Sequence, residues 1–366
     1  MNESFATSPL FERVERARRR KHKIRETHIT LAHGSGGRAM HDLVEGLFLE
    51  YFKNPMLDKL EDQAIFEVNG ASRMAFTTDS YVVDPIFFPG GDIGKLAVHG
   101  TVNDLAMSGA RPLYLSVGFI IEEGFSIEDL RRVCSSMQKA AEESGVLIVT
   151  GDTKVVQKGG ADTIFINTAG IGAIETRADV YSARTQVGDE VIVSGTIGDH
   201  GTTIMIARGE LELETDIESD SAPLHSLVSE IIKVADSVGS IDGIHSLRDP
   251  TRGGVATTLN EIAMSSEVGI EIREEWVPVR ENVRGACEIL GLDPLYVANE
   301  GKLVAVVSGD IADLVLEKMR RHPHGTGAAI IGDVKAEPQG IVSMTTGFGG
   351  TRIVDMLAGD QLPRIC

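Results

Sequence analysis

Asp79, Asn103 and Asp104 are the first residues whose types and spacing suggest chemistry. They share one stretch, Thr77–Pro112, which reads TTDSYVVDPIFFPGGDIGKLAVHGTVNDLAMSGARP. An apolar strand beginning at Met74 delivers Asp79. The chain then turns through Pro85, Pro89, Gly90 and Gly91, and a helical pattern runs from Ile93 to Ser108. Val98, Val102, Leu105 and Gly109 fall on one face of that helix as a buried stripe, and Asn103 and Asp104 point off it. Carboxylates gathered in this way repel unless a cation lies between them, and hard oxygen ligands suit Mg²⁺ holding substrate phosphates. A plainer reading stays open, in which Asp79 ends a strand, Asp104 is solvated and the glycines only make a turn.

A second candidate is the terminal cysteine, Cys366, which follows Pro363, Arg364 and Ile365. A thiol of pKa about 8.5 is mostly protonated at neutral pH, yet it remains a strong nucleophile. Arg364 favours the thiolate, and the terminal carboxylate opposes it. With Pro363 blocking a helix, the ending has the form of a swinging arm that carries a covalent group. The plainer reading is an incidental exposed thiol.

Weaker signals lie between these two. His33-Gly-Ser-Gly-Gly-Arg38 is a glycine-rich segment able to wrap phosphate, but it matches neither GxGxxG nor GxxxxGK[ST]. Asp62 stands at the entry of a short strand. Val146–Thr150 reads as a strand leading out to Gly151, Asp152 and Lys154. Leu247–Gly254 places Asp249 and two arginines before a helix, an anion site if the helix N–H groups are free and a capped helix otherwise. Asn299, Glu300 and Lys302 sit near a turn between apolar strands.

The elements that must position these residues alternate strand and helix. Strands are expected at Leu113–Ile121 and Ile164–Ile174, and helices after Ser126, over 224–238 and over 253–267. Cys134 and Cys287 read as core residues of their helices. The 366 residues suffice for two domains. With 35 basic and 54 acidic residues the net charge is −19, which argues against nucleic-acid binding, and phosphate chemistry would need a metal mediator. Three cysteines without a CxxC pair suggest a reducing, cytoplasmic setting, and no apolar run is long enough to span a membrane. Residues 1–27 are strongly basic and read as a flexible extension.

Taken together, His33-Gly-Ser-Gly-Gly, Thr78-Asp-Ser, Gly90-Gly-Asp-Ile-Gly-Lys, Asn103-Asp-Leu-Ala, Gly151-Asp-Thr-Lys-Val, Asp249-Pro-Thr-Arg-Gly-Gly and the ending Pro-Arg-Ile-Cys resemble the HypE carbamoyl dehydratases of [NiFe]-hydrogenase maturation, within the PurM (aminoimidazole ribonucleotide synthetase) superfamily. The resemblance runs from about Thr30 to Cys366. It implies a PurM-like α/β (α+β) fold with an N-terminal ATP-binding domain (28–178), a C-terminal α/β domain (179–357) and a flexible tail (358–366). The N-terminal strands would form a barrel at a homodimer interface. The resemblance also implies ATP and Mg²⁺ as cofactors, with Asp62, Asp79, Asn103, Asp104, Gly151, Asp152 and Asp249 binding the nucleotide. Asp62, Asp79, Asp104 and Asp249 would be the metal ligands, and Cys366, Lys154 and Glu300 the catalytic residues. The implied partners are the HypF carbamoyltransferase and a HypC–HypD scaffold. A kinase or synthetase of the same superfamily, or a noncatalytic ATP-gated thiol carrier, are the competing readings.

Overall fold

A computed structural model describes residues 28–34, 36–52, 54–68, 72–209, 216–357 and 364–366. The basic segment 1–27 and residues 358–363 of the tail lie outside the described residues.

The first half is built on a five-stranded sheet: β1 (Ala64–Val68), β2 (Ser72–Tyr81), β5 (Arg111–Glu122), β6 (Leu147–Val156) and β7 (Ile164–Ile174), in the order β1-β2-β7-β5-β6. All neighbours are antiparallel except β5 and β6, which run parallel and are joined through a helix. Two short strands, β3 (Phe87–Phe88) and β4 (Gly91–Asp92), make a ribbon that leads into the central helix. Arg38–Leu43 (α1) and Leu49–Phe52 (α2) precede the sheet.

The central helix, α3, spans Ile93–Met107. Asp92 caps it by accepting hydrogen bonds from the Gly94 and Lys95 N–H groups at 2.7 and 3.1 Å, the satisfaction of orphan donors that an N-cap provides. A single buried stripe is expected from the sequence, yet the helix is buried nearly all round, Asn103 included. The cause is its place in the fold: β2, β5, β7 and the next helix cover one side, and elements of the second half cover the other. Gly100 is required here, because a Cβ at this position would lie 2.2 Å from the Tyr81 hydroxyl.

Helix α4 (Ile127–Ser144) is capped by Ser126, whose hydroxyl accepts from the Asp129 N–H at 3.3 Å. Its buried face is Val133, Met137, Ala140, Ala141 and Ser144. Cys134 is exposed, which corrects the core reading: it stands one residue, and so about 100° of helix, away from Val133. Cys287 is buried as expected.

A second correction concerns β6. The strand does not end before Gly151 but continues through Gly151, Asp152 and Lys154 to Val156, paired with β5 along its length.

The second half carries a seven-stranded sheet ordered β14-β13-β10-β12-β8-β11-β9. Its strands are β8 (Asp189–Val193), β9 (Ile244–Arg248), β10 (Gly269–Arg273), β11 (Val304–Ser308), β12 (Ala329–Lys335), β13 (Val342–Thr345) and β14 (Thr351–Val354). The helices of this half are α5 (Asp199–Ala207), α6 (His225–Ser237), α7 (Gly254–Ser265), α8 (Glu281–Leu290) and α9 (Ala312–Arg320). Val191, Val193, Leu259, Ile262, Val304 and Val306 form one core between sheet and helix, with Ile192, Leu227, Ile231 and Ala305 in another. The architecture is mixed α/β, with α3 packed against both α6 and β9. Among the described residues no helix is long and apolar enough to cross a membrane.

Candidate active site

The site forms where β2, α3, the β9–α7 turn and the segment before β11 converge. Asp79 leaves β2 toward Arg252, whose guanidinium lies 3.2 Å from its Oδ1. Asp104 projects from α3, and Thr77 Oγ1 lies 2.8 Å from its Oδ2 and 3.0 Å from the Asp62 carbonyl. Burial pushes Asp104 well above the usual carboxylate range, and the charges of Asp249, Asp79 and Asp62 push it further. Asp249 is raised to about 6, first by burial and then by Asp79, against the pull of Arg248. Asp79 and Asp249 thus make ionisation of Asp104 more costly, and Asp79 does the same to Asp249. Among the described residues, however, no three acidic or histidine side chains close around a single point as a metal-binding group.

Asp62 is placed differently from the expectation of a metal ligand. Its Oδ2 lies 2.6 Å from Nε of buried Arg248, an ion pair whose angle is poor for a hydrogen bond. The same guanidinium holds Glu261 at 2.7 Å and faces Glu61 at 3.9 Å. Burial raises Glu261, but Arg248 and His41, the latter 2.9 Å away, more than offset this and hold it below its ordinary value. Arg248 is thus an internal counterion.

Asn103 is also placed differently from a nucleotide ligand. Its amide N–H groups donate to the carbonyls of Ala222 and Glu300, and its Oδ1 accepts from the Leu224 N–H. With donor and acceptor both engaged by backbone, it fixes the segment that carries Glu300. The Glu300 N–H donates to Asp220 Oδ1 at 3.0 Å, and Lys302 pairs with Asp220 at 3.0 Å. Glu300 itself is 3% exposed. Burial raises its carboxyl well above the ordinary range, and the charges of Asp79, Asp220 and Asp249 add to this while Arg252 opposes it.

Cys366 arrives at this point. A main-chain oxygen of Cys366 accepts from the Val82 N–H at 3.1 Å, and the Arg364 carbonyl accepts from the Asp84 N–H at 3.2 Å, so Val83 and Ile365 pair as an antiparallel bridge. Where the sequence reads as a free arm, the last three residues lie docked against their own chain. Glu300, Arg252 and Asp79 lie close enough to the Cys366 thiol to act on its charge. Burial drives it far above the usual thiol range, Arg252 pulls it back, and Glu300 and Asp79 push it up again, so the docked sulfur is held as a thiol.

A cavity of about 460 Å³ opens next to these groups. Met40, Val44 and Leu57 supply apolar lining, and Arg252, Thr251 and the start of α7 a polar end. Thr257 Oγ1 in its wall is buried without a hydrogen-bond partner.

Gly151, Asp152 and Lys154 are not brought into this cluster within one chain. They lie on β6, the sheet edge three strands from β2, roughly 14 Å across the sheet. The side chains of Asp152 and Lys154 are 74% and 73% exposed. Residues that the sequence left without a role are Arg248 as counterion and His200, whose Nε2 lies 2.6 Å from the Ile365 carbonyl. The only local sign of His200 was its place in a Gly-Asp-His-Gly turn.

Comparison with known proteins agrees with this architecture. The AIR synthase related protein N-terminal domain matches residues 60–174 and the C-terminal domain residues 186–345. The carbamoyl dehydratase HypE of Bradyrhizobium diazoefficiens is 55% identical over 351 residues, covering 96% of this chain and 100% of that protein. Its counterpart in Escherichia coli K12 is 49% identical, covering 92% and 99%. A chain in a HypE–HypF complex superposes with a TM-score of 0.80 at 50% identity, covering 86% of this chain and 99% of that one. HypE in complex with ATP gives 0.76 at 52% identity, covering 93% and 100%. Thiamine monophosphate kinase of Aquifex aeolicus shares the fold at 19% identity, with a TM-score of 0.62 over 84% and 96%. The chain belongs to the AIR synthase related family and, within it, to the HypE carbamoyl dehydratases.

Proposed function

We propose that this chain uses ATP to dehydrate a carbamoyl group carried on Cys366, giving a protein thiocyanate as the source of cyanide ligands for the Fe(CN)₂CO group of [NiFe]-hydrogenase. The observation that carries this reading is the docked tail, held by Val82, His200 and Arg208, which brings Cys366 within electrostatic reach of Glu300, Arg252 and Asp79. In the reaction, the carbamoyl oxygen attacks the γ-phosphorus of ATP and ADP departs. Two N–H protons are then lost in all, the C–O bond breaks, and phosphate leaves with that oxygen. One proton ends on phosphate and the other is released. Glu300 is the base: a carboxyl raised by burial is the stronger proton acceptor once ionised. Arg252 faces the sulfur and the oxygen that gains charge.

The cavity beside Asp249 suits the nucleotide, with the unpartnered Thr257 hydroxyl and the α7 start toward the phosphates. Mg²⁺ fits the donor chemistry of Asp79, Asp104 and Asp249: hard oxygens whose mutual repulsion a cation relieves. Mg²⁺ is commonly held by one or two carboxylates with phosphate oxygens supplying the rest, so the lack of a three-residue cluster is no obstacle. Asp62 stays with Arg248.

Lys154 and Asp152 enter through a second copy of the chain. The outer face of the first sheet leaves Phe76, Ile171, Tyr114, Ile120 and Leu147 exposed along β2, β7, β5 and β6, an apolar surface suited to a homodimer barrel. A partner's β6 would then bring Lys154 to the site. Lys154→Met is expected to slow dehydration about a hundredfold or more, as for loss of an electrostatic donor. Mixing Lys154→Met with Glu300→Gln chains should restore activity, because one of the two composite sites in a mixed dimer is intact. Absence of restoration would place Lys154 outside the partner's site.

The partners in this scheme are a HypF carbamoyltransferase that loads Cys366 and a HypC–HypD scaffold that receives the cyanide, in the cytoplasm. Incubation with HypF, carbamoyl donor and Mg·ATP, read by mass of the C-terminal peptide, tests the whole reading. A carbamoyl adduct that loses one water only with ATP supports it. An adduct that never dehydrates indicates a carrier, and ATP turnover without Cys366 indicates a kinase-like relative.

A further inference from the structure

His200 has no role in the chemistry above, yet it is completely buried and aimed at the tail. Its Nε2 lies 2.6 Å from the Ile365 carbonyl oxygen and its Nδ1 2.8 Å from Ser219 Oγ. A carbonyl only accepts, so Nε2 carries the proton and Nδ1 accepts from the Ser219 hydroxyl, which itself accepts from the Ser221 N–H at 3.3 Å. The ring is thus fixed in one tautomer. Burial keeps it neutral, Asp220 and the Ile365 carbonyl notwithstanding, and Phe88 packs edge-on against it with centroids 5.7 Å apart.

Arg208, at the end of the same helix, makes the companion contact. One guanidinium nitrogen donates to the Arg364 carbonyl at 2.9 Å and another to the Asp84 carbonyl at 3.0 Å, tying the tail to the strand edge it pairs with. Arg364 completes the fastening from the tail side, 2.9 Å from Asp162. The two carbonyls immediately before Cys366 are therefore each held by a side chain of α5 or its C-cap, while the Val82 N–H holds a main-chain oxygen of Cys366 itself.

We propose that His200 and Arg208 are positioning residues that clasp the Ile365 and Arg364 carbonyls and so set how long Cys366 stays at Glu300. The inference extends the proposed dehydration, but its test needs neither ATP nor carbamoylation. The docked thiol is partly buried, whereas Cys134 is exposed on α4 and serves as an internal reference in the same molecule. The experiment is alkylation of the full chain by iodoacetamide, followed by mass spectrometry of the two cysteine peptides.

In the wild type Cys366 should react more slowly than Cys134. His200→Ala should raise the Cys366 rate about tenfold, the change expected when a buried hydrogen bond worth about 1.4 kcal/mol is lost. The Cys134 rate should stay the same. His200→Gln, which keeps an N–H donor, should recover most of the protection, a rescue that a merely space-filling role would not give. Arg208→Ala, at a partly exposed position, should act in the same direction and carries the test if His200→Ala fails to fold. An unchanged Cys366 rate in these variants, or a wild-type rate equal to that of Cys134, would overturn the proposal and leave the dehydratase reading untouched. Where HypF-loaded chain is available, the same variants should accept carbamoyl normally and dehydrate it more slowly, recovering with His200→Gln.

Discussion

Glu300→Gln is expected to leave carbamoylation of Cys366 intact and to slow its dehydration by about 10² to 10⁴-fold, the usual range for loss of a positioned general base. The substitution preserves the shape of the side chain but removes the carboxylate proposed to take the nitrogen proton. Stability should not suffer. Burial and the charges of Asp79, Asp220 and Asp249 all disfavour the ionised form of this carboxyl, so a neutral amide resembles the form the folded protein already favours. The measurement is the time course of the C-terminal peptide mass after ATP addition. Dehydration within tenfold of wild type would show that another group accepts the proton.

The second large effect is expected on stability. Arg248→Met removes a buried cation from Asp62, Glu261 and Glu61, at 2.6, 2.7 and 3.9 Å. Methionine fills much of the volume, but the carboxylates are left without their counterion. Breaking a buried pair from one side costs about 3–5 kcal/mol, which for domains of this size lowers Tm by roughly 10 °C. Arg252→Met makes the instructive contrast. Its guanidinium is one-third exposed and serves Asp79 and the docked sulfur, so turnover should fall far more than Tm. Thermal melts of the two variants check this. An unchanged melt for Arg248→Met would mean that water or ions already compensate those carboxylates.

Much of this protein is legible in its sequence because the informative signals are local. The α3 boundaries follow from Asp92 and the apolar spacing, β7 from the run Ile164–Ile174, and the α4 start from Ser126. Six short motifs with the Pro-Arg-Ile-Cys ending are enough to identify the family, since backbone turns and phosphate chemistry constrain residue types at fixed spacings. Asp79, Asp104, Asp249, Glu300 and Cys366 stand out in the sequence as candidates for the site.

What only the tertiary structure decided is which of them meet. Asp62 and Asp249 look equivalent in sequence, but Arg248 takes Asp62 into an ion pair and leaves Asp249 facing Asp79 and Asp104. Asn103 is consumed by the backbone of Ala222, Leu224 and Glu300, segments more than a hundred residues away. Cys134 faces solvent because periodicity sets a stripe only to within a neighbouring position. Lys154 lies on a sheet edge three strands from the acids, a separation that spacing along the chain does not reveal. The docking of Cys366 beneath His200 and Arg208 joins the last residue to strands and helices in both halves. Local sequence sets element, turn and motif; long-range packing alone sets the distances between charges, and in this site those distances determine what each carboxylate can do.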